Sequence, residues 1–330
     1  MPKITIQLVV FNSKTYLDQV FTSIYNQTVQ DFEVIAVICG NVDGSKEYIA
    51  DNWKAVKIID PGENLGFAGG HNLAFKEARG EFVQIIGNDL LLEPAYLEEQ
   101  LKVFSAPEVA SSTGKLFGYD FEQNKSKGVL DTTGILLYAN GRARDRGQHE
   151  KDLGQYDESA SVPAVSGAAP MYRKSALEEV GYFDPDFFMY WEDVDLGLRL
   201  LHAGYKNVYV PNAVGYHGRG SGSSEKGMQD MKGLKKHRES ISLFTRRLNF
   251  KNHIFFVLKN FPKLNIGFFL REFLMLGYVL VFETRTLSIF PLLLKQLPGI
   301  IAKRKQILRT SKLSAGELEV YFAQDKKAIV

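Results

Sequence analysis

The sequence predicts an α/β fold: a Rossmann-like, mostly parallel sheet with helices on both faces, followed by a helical extension of different character. Two observations carry that expectation. Between residues 4 and 87, short apolar runs alternate with amphipathic helical stretches, and repeated strand–helix units of this length place crossover helices on both faces of a parallel sheet. Charge then divides the chain, because residues 1–237 carry 24 Lys and Arg against 32 Asp and Glu, while residues 238–312 carry 14 against 3.

The first strand is ITIQLVV (4–10), and Ser13 stands at the N-cap of a helix whose Leu17, Val20, Phe21 and Ile24 share one face. EVIAVI (33–38), a short helix after "DGS", VKIID (56–60), a helix across 68–78 and EFVQIIG (81–87) continue the alternation. Ligands of such sheets bind beyond the carboxyl ends of the strands, which here carry Phe11 and Asn12, the loop 38–45, and Asn88 and Asp89. Further along, Val194, Leu198 and Leu201 recur at helical spacing up to Gly204, a C-terminal cap, and "NVYVP" (207–211) reads as a return strand. The glycine- and serine-rich "GRGSGSSEKG" (218–227) separates a first domain, 1–226, from a second, 227–330.

With 330 residues, 45% hydrophobic and 24% charged, the chain buries a substantial core. Its one cysteine, Cys39, excludes an intramolecular disulfide framework and a Cys-based zinc site, and fits a reducing compartment. MPKITIQLVVFN is a first strand and not a signal peptide, since its apolar stretch is short and interrupted by Thr5 and Gln7. A cytoplasmic protein is expected. A dinucleotide oxidoreductase would need a glycine turn after the first strand, but that position reads "VFNSKT", and no G-x-x-x-x-G-K-[ST] occurs. No nucleic-acid partner is expected.

Two segments concentrate polar chemistry. In "ENLGFAGGHN" (63–72), Gly66, Gly69 and Gly70 either let backbone approach a ligand or permit a tight turn. Later, Glu192, Asp193 and Asp195 open a helix, and His217 follows the return strand. Acids in a first helical turn suit the positive helix end, and Asp195 pairs with Arg199 at i,i+4. Capping accounts for one or two of these acids. It accounts poorly for the aromatic run Phe187, Phe188, Tyr190 and Trp191 that delivers them, or for the returning histidine.

The ordered set "VVFN" (9–12), "GNVDGS" (40–45), "ENLGFAGGHN" (63–72), "GNDLLLEP" (87–94), "VSGAAPMYRKSALEEVGYFDPDFFMYWEDVDLGLRLLHAGY" (165–205) and "PNAVGYHGRGSGS" (211–223) resembles a family 2 glycosyltransferase of the GT-A fold, especially its rhamnosyltransferase-like branch. The resemblance covers roughly residues 3–224. It implies that Phe11, Asn12, Asn41 and Asp43 hold the nucleotide, that Asn64, Gly66, Phe67, Gly69 and Asn72 lie beside the sugar-nucleotide, and that Asn88 also meets the donor. Asp89 matches the last aspartate of the family's metal motif, reduced here to Gly87-Asn88-Asp89. His217 matches a histidine that completes the metal site in several relatives, and Mn2+ or Mg2+ is the implied cofactor. Asp193 matches the catalytic base, with Glu192 shaping the acceptor pocket. Tyr190 and Trp191 either stack on an acceptor sugar or pack.

The implied reaction is inverting transfer from a nucleotide-sugar to a hydroxyl of a glycan or lipid-linked saccharide in cell-surface polysaccharide synthesis. The branch favours dTDP-rhamnose, with UDP-sugars next. One position departs from the pattern: where relatives carry an aspartate that accepts from the base imide, this chain has Ile38. Either backbone or Asn41 substitutes, or base recognition is altered, or activity is reduced. The alternative function is a catalytically weak homologue that acts as a binding scaffold.

Within 238–312 the longest charge-free runs, 273–282 and 286–294, are too short to span a bilayer. Pro262, Pro291 and Pro298 are expected to divide the segment into short helices. Those helices either lie on the inner face of the cell membrane, with the 14 basic residues on anionic headgroups, or cover the catalytic domain or a homodimer interface.

Overall fold

Strand β1 (Ile4–Phe11) buries Ile4, Ile6, Leu8 and Val10 on one face and Thr5 and Gln7 on the other. A strand buried on both faces belongs to the middle of a covered sheet. The computed structural model describes residues 1–219, 238 and 240–322, and in it β1 lies between β2 (Phe32–Gly40) and β4 (Phe82–Ile85), parallel to both. β3 (Val56–Ile59) continues the parallel set beside β2. The crossovers are α1 (Lys14–Tyr25), α2 (Ser45–Asn52) and α3 (Gly66–Glu77). Leu17, Val20, Phe21 and Ile24 of α1 are buried together, as their spacing requires.

Beyond β4 the sheet becomes mixed. The order is β10 (Ala160–Val162), β12 (Lys206–His217), β6 (Val109–Asp120), β11 (Met171–Arg173), β4, β1, β2, β3, with β5 (Leu90–Leu92) on β12 and β7 (Lys125–Thr132) on β6. β11 is antiparallel to β4 and to β6. β6 runs parallel to β12, while β5, β7 and β10 pair antiparallel. β8 (Ile135–Leu137) and β9 (Ala143–Asp145) form a separate two-stranded sheet. Helices α4 (Tyr96–Val103), α5 (Lys174–Val180) and α6 (Glu192–His202) complete this part.

Gly204, at φ +84, ends α6, and the Tyr205 N–H donates to Leu200 O at 3.0 Å. That six-residue closure is the Schellman arrangement the glycine predicts. Ser13 departs from expectation. It occupies the N-cap of α1, but its side chain makes no cap bond; its hydroxyl donates to Phe11 O at 2.9 Å and accepts from Asn88 Nδ2. The cap hydroxyl is spent on the strand end and on the loop after β4.

The described residues fall into two compact units. One comprises Met1–Ile135, Asp145–Leu201 and Tyr205–Arg219; the other comprises Leu136–Arg144, His202–Gly204 and the described residues from Arg238 onward. The expected border between residues 226 and 227 lies outside the described residues. The second unit carries α7 (Leu243–Asn260), α8 (Ile266–Phe282), α9 (Phe290–Thr310) and α10 (Ala315–Glu319). Pro262 falls between α7 and α8, and Pro291 in the first turn of α9, but Pro298 does not divide a helix as expected: it lies inside α9. Proline's fixed φ is helical, so the break reduces to one missing hydrogen bond toward the preceding turn and local crowding. No helix among the described residues is long and apolar enough to cross a membrane.

Candidate active site

The carboxyl ends of β1, β2 and β4 bring three loops together. Asn12, at φ +49, turns its side chain so that Oδ1 accepts the Val42 N–H at 2.9 Å, joining the loop after β1 to the loop after β2. Asp43 accepts from the Lys14 N–H at 2.8 Å and from the Ser45 hydroxyl at 2.6 Å. Burial works against its charge, but these hydrogen bonds hold its carboxyl below the usual aspartate value. Asn41 spends both ends of its amide on α2, accepting from the Lys46 N–H at 2.7 Å and donating to Glu47 Oε2 at 2.9 Å. Phe11 is half-exposed with its ring against Gly40, where a Cβ would meet Phe11 Cδ2 at 2.6 Å. Ile38 is only 3% exposed and packs in the core with Val10 and Leu17.

The glycine segment packs backbone against backbone. Asn64 Oδ1 accepts the Gly66 N–H at 2.9 Å, a local turn that sets Gly66 at φ +67. A Cβ on Gly66 would lie 2.5 Å from Phe188 O, and the Ala68 N–H donates to that carbonyl at 3.1 Å. A Cβ on Gly69 would press on Leu65 Cβ at 2.9 Å. Asn72 Nδ2 donates to Phe183 O at 2.7 Å. Phe67 stacks edge-on with Phe183 and His71, its ring centroid 5.4 and 4.4 Å away. The start of α3 is therefore bound to the loop that delivers the acids of α6.

That loop is strained. Phe188, Tyr190 and Trp191 all have positive φ, at +62, +70 and +74, which bulky residues adopt only where surrounding structure enforces it. Tyr190 is exposed, Trp191 half-buried and Glu192 buried. Asp193 Oδ2 accepts the Gly167 N–H at 2.9 Å, and its Oδ1 accepts the Val194 N–H at 2.8 Å. Burial raises the Asp193 carboxyl above its usual value, against the pull of those two N–H groups. Burial, then the neighbouring Asp193 charge, hold Glu192 well above the carboxylate range, and its Oε2 has no hydrogen-bond partner. Asp195 is buried against Arg199 Nε at 2.9 Å, the i,i+4 pair expected of it.

Across the strand ends, Asp89 Oδ1 and His217 Nε2 are 3.3 Å apart. On the ring's other side His217 Nδ1 lies 2.8 Å from Asp131 Oδ2, and Asp131 Oδ1 lies 2.7 Å from Arg219 Nε. Arg219 also pairs with Asp145. Burial would lower the His217 imidazole, but its carboxylate partners raise it to about 9. Two ligands at right angles, each about 2.1 Å from one ion, stand about 3 Å apart. The Asp89–His217 separation and its oxygen–nitrogen donor set are compatible with a hard divalent cation, for which these two side chains would supply two ligands once the Nε2 proton is displaced. Among the described residues no cluster of three or more His, Cys, Asp or Glu forms a metal cage.

One short peptide joins the acidic centres. The Gly87 N–H, two residues before Asp89, donates to Ala168 O at 2.8 Å, while the preceding Gly167 N–H holds Asp193. Sequence reasoning missed Gly167, Asp131, Asp145 and Arg219. A lone acid closing the apolar run "GVL" before "TTG" was the only local signal for Asp131. Arg219 stood two places past His217.

The family model described as glycosyl transferase family 2 matches residues 5–181, more than half of the chain. An N-acetylglucosaminyl-diphospho-decaprenol L-rhamnosyltransferase of Mycobacterium tuberculosis is 26% identical over 239 residues, which cover 63% of this chain and 74% of that protein. An uncharacterized glycosyltransferase of Haemophilus influenzae is 31% identical over 138 residues, 41% of this chain, and the match spans only 55% of that relative's length. Among solved structures, a mannosyltransferase from Pyrobaculum calidifontis in complex with GDP-Man and Mn2+ superposes with a TM-score of 0.53 at 17% identity, over 94% of this chain and 79% of that one. At that identity the likeness establishes the GT-A fold.

Proposed function

The chain belongs to glycosyltransferase family 2, and from that premise we propose that it is an inverting, metal-dependent transferase that moves a sugar from a nucleotide-sugar to a hydroxyl of a glycan or lipid-linked saccharide. The observation that carries this reading is the Gly167–Ala168 peptide. It ties the loop bearing Asp89 to the carboxylate of Asp193, so the leaving-group site and the base are held by one rigid piece of backbone.

In this reading Phe11, Asn12 and Asp43 border the nucleotide, Asn64, Gly66 and Asn88 border its sugar end, and Asp89 with His217 Nε2 would hold a divalent cation, which when bound would supply charge neutralisation for the departing diphosphate. The acceptor oxygen attacks the anomeric carbon while the bond to the diphosphate oxygen breaks, and the bonding pair leaves with the nucleoside diphosphate. Asp193 takes the acceptor hydroxyl's proton. Its raised affinity for a proton suits a base that must ionise yet accept. Glu192, whose carboxyl is held well above its usual value by burial and then by the Asp193 charge, resists adding a second negative charge beside it. Tyr190 and Trp191 offer ring faces to an acceptor sugar.

The relationship to a rhamnosyltransferase that acts on a decaprenol-linked sugar favours dTDP-rhamnose as donor and a lipid-linked acceptor in cell-envelope polysaccharide synthesis, at the cytoplasmic face of the membrane. Ile38, buried where relatives place the base-reading aspartate, favours a second reading, a binding subunit with weak catalysis. Incubation with dTDP-rhamnose, UDP-sugars and GDP-mannose, with Mn2+ and without acceptor, separates the two. Slow release of free sugar from one donor supports the enzyme; binding of a donor without any release supports the binding subunit.

A further inference from the structure

We propose that α8 (Ile266–Phe282) is an in-plane membrane helix whose exposed apolar face enters an anionic lipid surface. The inference deepens the membrane reading of the C-terminal segment and is independent of the transfer chemistry. Ile266, Phe269, Leu270, Phe273, Leu274, Leu280 and Val281 are each 52–83% exposed. Their spacing of three and four residues puts them on one face, and the gap in the series is Gly277, around which a Cβ would meet nothing within 4 Å. The other face is committed: Phe268, Tyr278 and Val279 are buried, and Arg271 and Glu272 pair there with His253. So large an unbroken apolar stripe is rare on a water-facing helix.

Charge selects the occupant. The stripe carries no acid: Glu272 faces His253, and Glu283, just past the helix, is buried against Arg238 at 2.6 Å. Exposed Lys263 and Arg285 stand beyond its two ends. If a second copy covered the stripe about a twofold axis, either helix orientation would set cation against cation at both ends. An anionic headgroup layer instead meets both cations while its acyl boundary takes the stripe. A helix of 17 residues is too short and too one-sided to span.

The test uses full-length protein and sucrose-loaded vesicles of phosphatidylcholine, with or without phosphatidylglycerol. Wild type should sediment with the anionic vesicles and be largely released near 1 M salt, where the screening length is about 3 Å. The double variant Phe273→Gln, Leu274→Gln changes only exposed side chains and should bind at least about tenfold more weakly. Lys263→Gln, Arg285→Gln should remove the preference for anionic over neutral vesicles. Donor affinity, measured on the same preparations, should be unchanged, which shows that the variants are folded and keeps the transfer reading separate. Wild-type binding that survives the Phe273 and Leu274 changes overturns the assignment. So does wild type that ignores vesicles but sediments as a dimer which the same variant dissociates.

Discussion

Asp131 Oδ2 lies 2.8 Å from His217 Nδ1, on the side of the ring opposite Asp89. The imidazole, raised to about 9, carries a proton on both nitrogens at neutral pH; a cation at Nε2 would displace the proton there, while Asp131 keeps the one on Nδ1 and so holds the tautomer a cation requires. Arg219, 2.7 Å from the other Asp131 oxygen, fixes the carboxylate in turn. Histidine ligands are commonly oriented by such an outer partner.

Asp131→Asn keeps the shape and an acceptor oxygen but loses the charge. Mn2+ affinity, followed by water-proton relaxation without any donor, should fall by about 10–100-fold. Unchanged Mn2+ affinity in a folded variant would show that Asp131 only packs.

Local periodicity made the first half of the fold legible. The buried face of α1, the parallel set β1 to β4 and the Asp195–Arg199 pair follow from residues a few places apart. β11 was not legible: three residues long, it is defined by Met171 pairing with Gln84 and Ser112, far away in sequence. The same distance hid Asp131, 86 residues from His217. Ser13 shows the opposite failure, since a correct local signal lost to the competing Phe11 and Asn88 partners. Asn12, Asp89, Asp193 and His217 were named through resemblance, but the peptide that ties two of their loops belongs to the tertiary structure alone.

Glu192 should leave a mark on stability. Burial, then the Asp193 charge, raise its carboxyl well above the ordinary value of 4.5, so the native protein keeps a proton that the unfolded chain releases near that pH. Stability must then fall as pH rises above the unfolded value, until the native carboxyl also ionises. Glu192→Gln abolishes this contribution, and thermal midpoints recorded from acid to neutral pH should fall less steeply with rising pH than in the wild type. Parallel curves would mean that Glu192 is not raised.

Gly66→Ala should damage both loops that meet there. A side chain in the left-handed region costs about 1–2 kcal/mol, and a Cβ 2.5 Å from Phe188 O forces a shift typical of overpacking, about 1–3 kcal/mol more. Denaturant unfolding should show a loss in that combined range, together with weaker donor binding. Wild-type stability would require the 63–72 loop to be far more yielding than its contacts allow.

The Asp193 carboxylate is oriented by two N–H groups and raised by burial, and it stands on a different loop from the groups proposed to border the donor. Base and donor site should therefore separate in a single substitution. Asp193→Asn preserves size and an oxygen for the Gly167 N–H, so donor affinity should stay near wild type while transfer to acceptor falls at least about 100-fold, the scale of a lost general base. The wild-type transfer rate should decline as pH falls through a value above the usual aspartate range, because only the ionised carboxylate accepts the proton. The residual rate of the variant should lack that decline. A variant that keeps both its rate and the wild-type pH profile would show that the proton leaves by another route, and Asp193 would then be a residue that shapes the acceptor pocket.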